Sequence, residues 1–288
     1  MKRKTRAKNY LKANPPVNLR SQINRAYRKT DRAETQARKE VDRLYKSKID
    51  VLIGKITGFM SEHNIKSFAE AKKYHRLDAL FDEMNEEIKG LSVEERQLLV
   101  SQKMRTYKEA YKDTSISYGD TLGVSFGGPN KKSLDAFKEM PVLGTEIKNE
   151  TENKRRNLEN AVRGEVNRGL ILGENPLQIA KRIAKAGKIA QYRARALART
   201  NVIAAHGQAV IDFRENNSDI FKGVRWFTQL DERTCPICAP LNGKDFYKEQ
   251  PPHPAHYNCR CALNPIAETA IQRVLDSAGQ FKITAEVA

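Results

Sequence analysis

All four cysteines of this 288-residue chain fall within 27 positions, as Cys235, Cys238, Cys259 and Cys261. Two of its five histidines, His253 and His256, share that window. A Cys-x2-Cys loop turns two thiolates toward one ion, and a later turn can complete a tetrahedron. The first half, Cys235-Pro-Ile-Cys238 followed by an Asn242-Gly243 hairpin turn, has the form of a zinc knuckle. The second half is less regular. Residues i and i+2 of a strand point to opposite faces, so Cys259 and Cys261 share an ion only if the backbone curls. Two ligand sets stay open. One is Cys235, Cys238, His256 and Cys259, with Cys261 packed as a small apolar side chain. The other puts Cys261 in place of His256. His253, flanked by prolines, reads as a loop residue.

The ion expected is zinc in a structural role, closing a subdomain too small to bury enough surface alone. Clustered thiols of this kind bind metal more often than they form disulfides. A catalytic zinc keeps one coordination position open, whereas five or six donors crowd this site, so no catalytic residue is assigned. Asp231 and Glu232, beside Arg233, read as surface hairpin residues.

Charge supplies the second theme. The net charge of +17 is segregated: residues 1–50 carry +11 and residues 151–210 carry +8, while the stretches 51–150 and 211–288 each carry −1. Segregated positive charge points to a polyanion partner, nucleic acid being the commonest. The candidate contacts are Lys2, Arg3, Lys4, Arg6 and Lys8 in an N-terminal arm, then Arg193 and Arg195 on a later helix. Arg199 shares a face with Arg195 and is a candidate for either DNA or an internal carboxylate. No base-reading module is visible, so binding is expected to be non-specific. No run approaches 18 apolar residues, which excludes a membrane-spanning helix.

The elements that must position these residues are mostly helical. Residues 1–16 read as a basic arm, closed by Pro15-Pro16 and disordered when unbound. Residues 17–145 read as an N-terminal helical region. Within it, Ala33, Ala37, Val41 and Leu44 mark one face of a helix from about 17 to 60. Ser67-Phe-Ala-Glu70 and Ser92-Val-Glu-Glu95 fit capping boxes that would start helices near 68 and 93. Residues 114–145, carrying Gly119, Gly123, Gly127-Gly128-Pro129 and Pro141, read as a long loop. Helices follow over 147–172, ending at Gly173, then from Asn175-Pro176 to about 186, with Gly187 as a break before a third helix to about 215. Residues 223–230 read as a strand, 224–266 as the knuckle subdomain, and 267–288 as a tail with a short helix over 267–278. The fold class is therefore mainly α, with long N-terminal helices, a helical middle and a small α+β C-terminal region holding a zinc-knuckle β-hairpin.

The ordered string from residue 150 to 266 resembles the Mu F-like phage head morphogenesis family. It comprises Gly173-x-Asn175, Ala198-Arg-Thr-Asn201, Trp226, Asp231-Glu-Arg-Thr-Cys235-Pro-Ile-Cys238, Leu241-Asn-Gly243, Pro251-Pro252 and His256-Tyr-Asn-Cys259-Arg-Cys261. The resemblance implies a minor head protein of tailed phages, associated with the portal protein and other head proteins. It further implies a place in the virion, in the head interior near the portal, after assembly in the host cytoplasm. Some relatives are linked to DNA binding and delivery, which fits double-stranded phage DNA as the polyanion. A metal-dependent nuclease of phage origin is the alternative, motivated by His253 and His256 beside a zinc. A host regulator carrying a zinc ribbon is a third reading.

Overall fold

A computed structural model describes residues 2–13, 19–65, 68–72, 75–228, 231–269 and 271–272. In chain order these form α1 (Lys2–Ala13), α2 (Leu19–Glu62), α3 (Phe68–Lys72), α4 (Arg76–Leu122), α5 (Lys131–Glu139), α6 (Ile147–Ile171) and α7 (Pro176–Asn216). Then come β1 (Phe221–Phe227), a 3-10 turn (Ala239–Leu241), β2 (Asp245–Phe246) and β3 (Ala262–Ala267). The chain is thus mainly α with a small antiparallel sheet, ordered β2-β1-β3. No described helix is long and apolar enough to cross a membrane.

Several local expectations need correction. The expected arm is helical, and three of its cations are neutralised: Arg3 pairs with Asp219 at 2.7 Å, and Lys4 and Lys8 both pair with Glu268. Ala7 joins the aromatic core. Pro15-Pro16 and Ser67 lie outside the described residues, as does most of the tail helix expected over 267–278. Ser92 starts no helix, because α4 runs through it. Its hydroxyl donates to the Thr151 carbonyl at 3.2 Å, and Glu95 is buried against Lys154 and Tyr45. The expected loop at 114–145 is largely helical, with α4 reaching Leu122 and α5 beginning after Asn130, whose side chain caps the Ser133 N–H at 2.7 Å. Gly119 sits inside α4 because the chain folds back there: a Cβ would stand 3.0 Å from the Val124 carbonyl oxygen. Gly187 likewise interrupts nothing. It makes room for the Ile49 side chain, which fills the space a Cβ would need. Gly173 does end its helix, at φ +68°, and the Asn175 side chain caps α7 through the Gln178 N–H at 3.0 Å.

Contacts divide the chain into two compact units that do not follow the sequential boundaries at 16, 145 and 266. The first comprises Met1–Gln36, Ser101–Gly144 and Arg199–Ala288, the second Ala37–Val100 and Thr145–Ala198. The first unit's core is aromatic. Tyr107 stacks on Phe137 at 4.9 Å, and Phe213 meets Tyr111, Tyr118, Phe126 and Phe221 within 6.1 Å. A second cluster links Ile203, Val210 and Ile211 of α7 to Val224, Trp226, Phe246 and Leu263 of the sheet. The second unit buries Leu52, Ile56, Met84, Ile88, Val162 and Val166, and with them the Glu95–Lys154 pair. In its α6–α7 hairpin the helices touch closely: a Cβ on Gly169 would meet Ile179 Cγ1 at 2.5 Å.

Candidate metal centre

β1 is the central strand on which the cysteine cluster is built. It pairs with β2 through Val224 and Phe246 and with β3 through Trp226 and Leu263. Between β1 and β2 the chain makes the Cys235–Cys238 loop, tied by N–H donors from Cys238 and Ala239 to the Cys235 carbonyl at 3.1 and 3.0 Å. The turn that follows has only one residue of positive φ, Gly243 at +78°, while Asn242 is extended. The Lys244 N–H closes it on the Leu241 carbonyl at 3.0 Å, and the Asn242 side chain accepts from the Thr228 N–H at 3.0 Å.

The second half-site does curl. Asn258 takes φ +60°, its N–H donating to the Thr200 hydroxyl of α7 at 3.1 Å. Beyond that turn the Cys259 and Cys261 sulfurs both reach Cys238. Two groups result, each with ligand atoms within 4.8 Å of one another: Cys235, Cys238 and His256, and Cys238, Cys259 and Cys261. Cys238 belongs to both. His256 Nε2 stands 3.1 Å from the sulfurs of Cys235 and Cys238, and the Cys238 and Cys259 sulfurs are 3.9 Å apart. Two thiolates on a tetrahedral zinc lie about 3.8 Å apart, and a thiolate and an imidazole nitrogen about 3.6 Å, given bonds of about 2.3 and 2.05 Å. The donor types suit such an ion and either group could hold one, with Cys238 common to both and Cys259 in a different group from Cys235 and His256.

The electrostatics favour ligand character. His256 Nδ1 donates to the Tyr257 carbonyl at 2.6 Å, which leaves the Nε2 lone pair facing the sulfurs. The neighbouring Cys261 thiol holds Cys259 below the ordinary thiol range, at about 4, while Cys259 in turn raises Cys261. Burial pushes Cys238 up to about 12. A buried thiol of that kind needs a cation to become a thiolate. All four cysteines are free of disulfides.

His253 points elsewhere. Its Nε2 donates to the Cys261 carbonyl at 2.9 Å, and its ring lies edge-on to Trp226 at 5.1 Å. The supporting groups were not evident from spacing. Asp231, expected as a surface hairpin residue, is exposed and receives both Arg260 guanidinium nitrogens, at 2.6 and 2.5 Å, which holds its carboxyl well below the usual range. This pair ties the start of the first half-site to the residue between Cys259 and Cys261. The Thr228 hydroxyl donates to the Cys238 carbonyl at 2.9 Å and lies 3.5 Å from the Cys261 sulfur. The one sequence hint to this shell was an arginine placed between two cysteines.

Residues 160–264 match the family described as Phage Mu protein F like protein. This segment of the chain is Mu F-like. It takes in the end of α6, all of α7 and β1, the five cysteine and histidine donors, and β3 as far as Asn264. Beyond it, the chain is 26% identical over 271 residues to the minor head protein GP7 of Bacillus phage SPP1, covering 85% of this chain and 86% of that one. No solved structure matches.

The candidate DNA contacts have varied settings. Besides the paired Arg3, Lys4 and Lys8, Arg195 of the Mu F-like segment pairs with Asp42, and Arg199 lies 3.8 Å from Glu34. Arg6 and Arg193 are exposed without an ion pair among the described residues. The side chain of Lys2 lies outside those described.

Proposed function

We propose that this chain is a minor head protein of a tailed phage, built into the head interior near the portal after assembly in the host cytoplasm. Its partners are the portal protein, other head proteins and double-stranded phage DNA. The observation that carries this reading is the similarity to a minor head protein along 85% of the chain, well beyond the Mu F-like segment. In the same reading Cys235, Cys238, His256 and Cys259 hold one structural zinc, and Cys261 packs beside them against Thr228. Zinc would supply a cross-link between the Cys235–Cys238 loop and the His256–Cys259 turn. The role is structural because the cavity at the cluster is only about 30 Å³ and none of its lining residues is a carboxylate. A nuclease needs an open coordination position for water and substrate.

DNA is met through phosphates, with Arg6 and Arg193 as cations free to reach them. The test of the reading is co-sedimentation of the tagged full-length chain with proheads from infected cells. The chain is expected in the prohead fraction at low copy. A chain that stays wholly in the soluble fraction contradicts it.

A further inference from the structure

The second unit carries an open groove along the α6–α7 hairpin, of about 410 Å³. Its floor is aliphatic, with Leu158, Ala161, Ala186 and Ala190, and its walls are basic. The acids nearby are already spent within the chain. Glu165 and Glu174 both pair with Arg182, at 3.0 and 2.6 Å, and Glu152 and Glu159 both pair with Arg155. These four are the only acids in residues 151–198. Three groove cations, Arg168, Lys185 and Arg193, are exposed and have no ion pair among the described residues. The groove therefore presents positive charge that nothing internal offsets.

Accordingly, we infer that the α6–α7 groove is a phosphate-backbone contact surface for duplex DNA, with Arg168 on one wall and Lys185 and Arg193 on the other. This rests on the DNA-binding reading above and gives it a place outside both the N-terminal helix and the metal centre. Lys185 and Arg193 are eight residues apart on α7, about 12 Å along the helix. That span matches an extended polyanion carrying one charge per about 1.7 Å better than a small anion. Two more exposed cations of α7, Lys181 and Lys188, flank the groove with no ion pair among the described residues. A high-density polyanion uses such a row, whereas one acidic protein helix seated in the groove would leave those two unmatched. Each phosphate contact releases counterions, so lost contacts appear in the salt dependence.

The experiment uses the full chain, a 30-base-pair duplex of arbitrary sequence, and affinity measured across a salt series. The wild type is expected to bind with a steep negative slope of log affinity against log salt. In R168Q/K185Q/R193Q the slope should shrink by about 2.7, roughly 0.9 per contact, with an unchanged melting temperature. If the triple variant misfolds, Lys185→Gln and Arg193→Gln singly should each lower the slope by about 0.9. Wild-type slopes in folded variants overturn the groove assignment while leaving DNA binding in place. A wild-type chain that ignores duplex DNA overturns both. Its retention by poly-L-glutamate in that case assigns the groove to an acidic protein partner.

Discussion

The two units each bury a cluster of polar side chains, and they satisfy it differently. In the second unit, Glu95 receives the Tyr45 hydroxyl at 2.9 Å and the Lys154 ammonium, so α2, α4 and α6 meet at a pair that the chain completes by itself. Burial lowers the Lys154 pKa against the pull of Glu95, and burial with that same carboxylate raises Tyr45. In the first unit, the cysteine sulfurs and the His256 imidazole converge, and burial holds the Cys238 thiol from ionising unless a cation joins it. The difference teaches that buried polarity can be completed within the chain, as at Glu95 and Lys154, or left for a partner to complete, which at the cysteine cluster is the proposed zinc.

Three interventions separate these forms. The largest effect is expected from Glu95→Ala, which strands a buried ammonium. It should cost about 3–5 kcal/mol in denaturant unfolding, and a chelator should not alter that cost. A loss under about 1 kcal/mol would mean that the pair is no more than a solvated surface contact.

A smaller effect is expected at His206, which is buried beside His253; burial, then that neighbour, lowers its pKa to about 4. The unfolded chain takes up this proton near pH 6.5 and the folded chain only near 4. Protonation therefore favours unfolding as pH falls through that window, and the stability is fully present above it. The wild type should lose up to about 3 kcal/mol between pH 6.5 and 4 relative to His206→Gln. Parallel pH profiles for the two proteins would remove His206 from the account.

The same contrast explains what could be read in the sequence. The metal donors were legible because thiols are rare and their spacing is local: Cys-x2-Cys and His-x2-Cys each fit within one turn. The turn that leads into Cys259 was not legible, since Asn258 is held there by Thr200, 58 residues away. Ser92 and Glu95 were misread as a cap because their partners, Thr151 and Lys154, lie 59 residues on. Gly119 and Gly187 were misread as breaks. Glycine marks chain reversal and close approach with the same letter, and only the presence of Val124 or Ile49 decides which. The basic arm was misjudged for a related reason: its partners Asp219 and Glu268 come from the far end of the chain.

Native mass spectrometry of the chain purified under reducing conditions, beside Cys238→Ser, tests the central claim most directly, because Cys238 is the donor common to both groups. The account predicts one zinc per wild-type chain and none in the variant, with new protease cleavage confined to about 231–261 and helical content unchanged. A wild-type chain that carries no metal yet resists protease over those residues, or one whose four sulfurs are joined as disulfides, would contradict it.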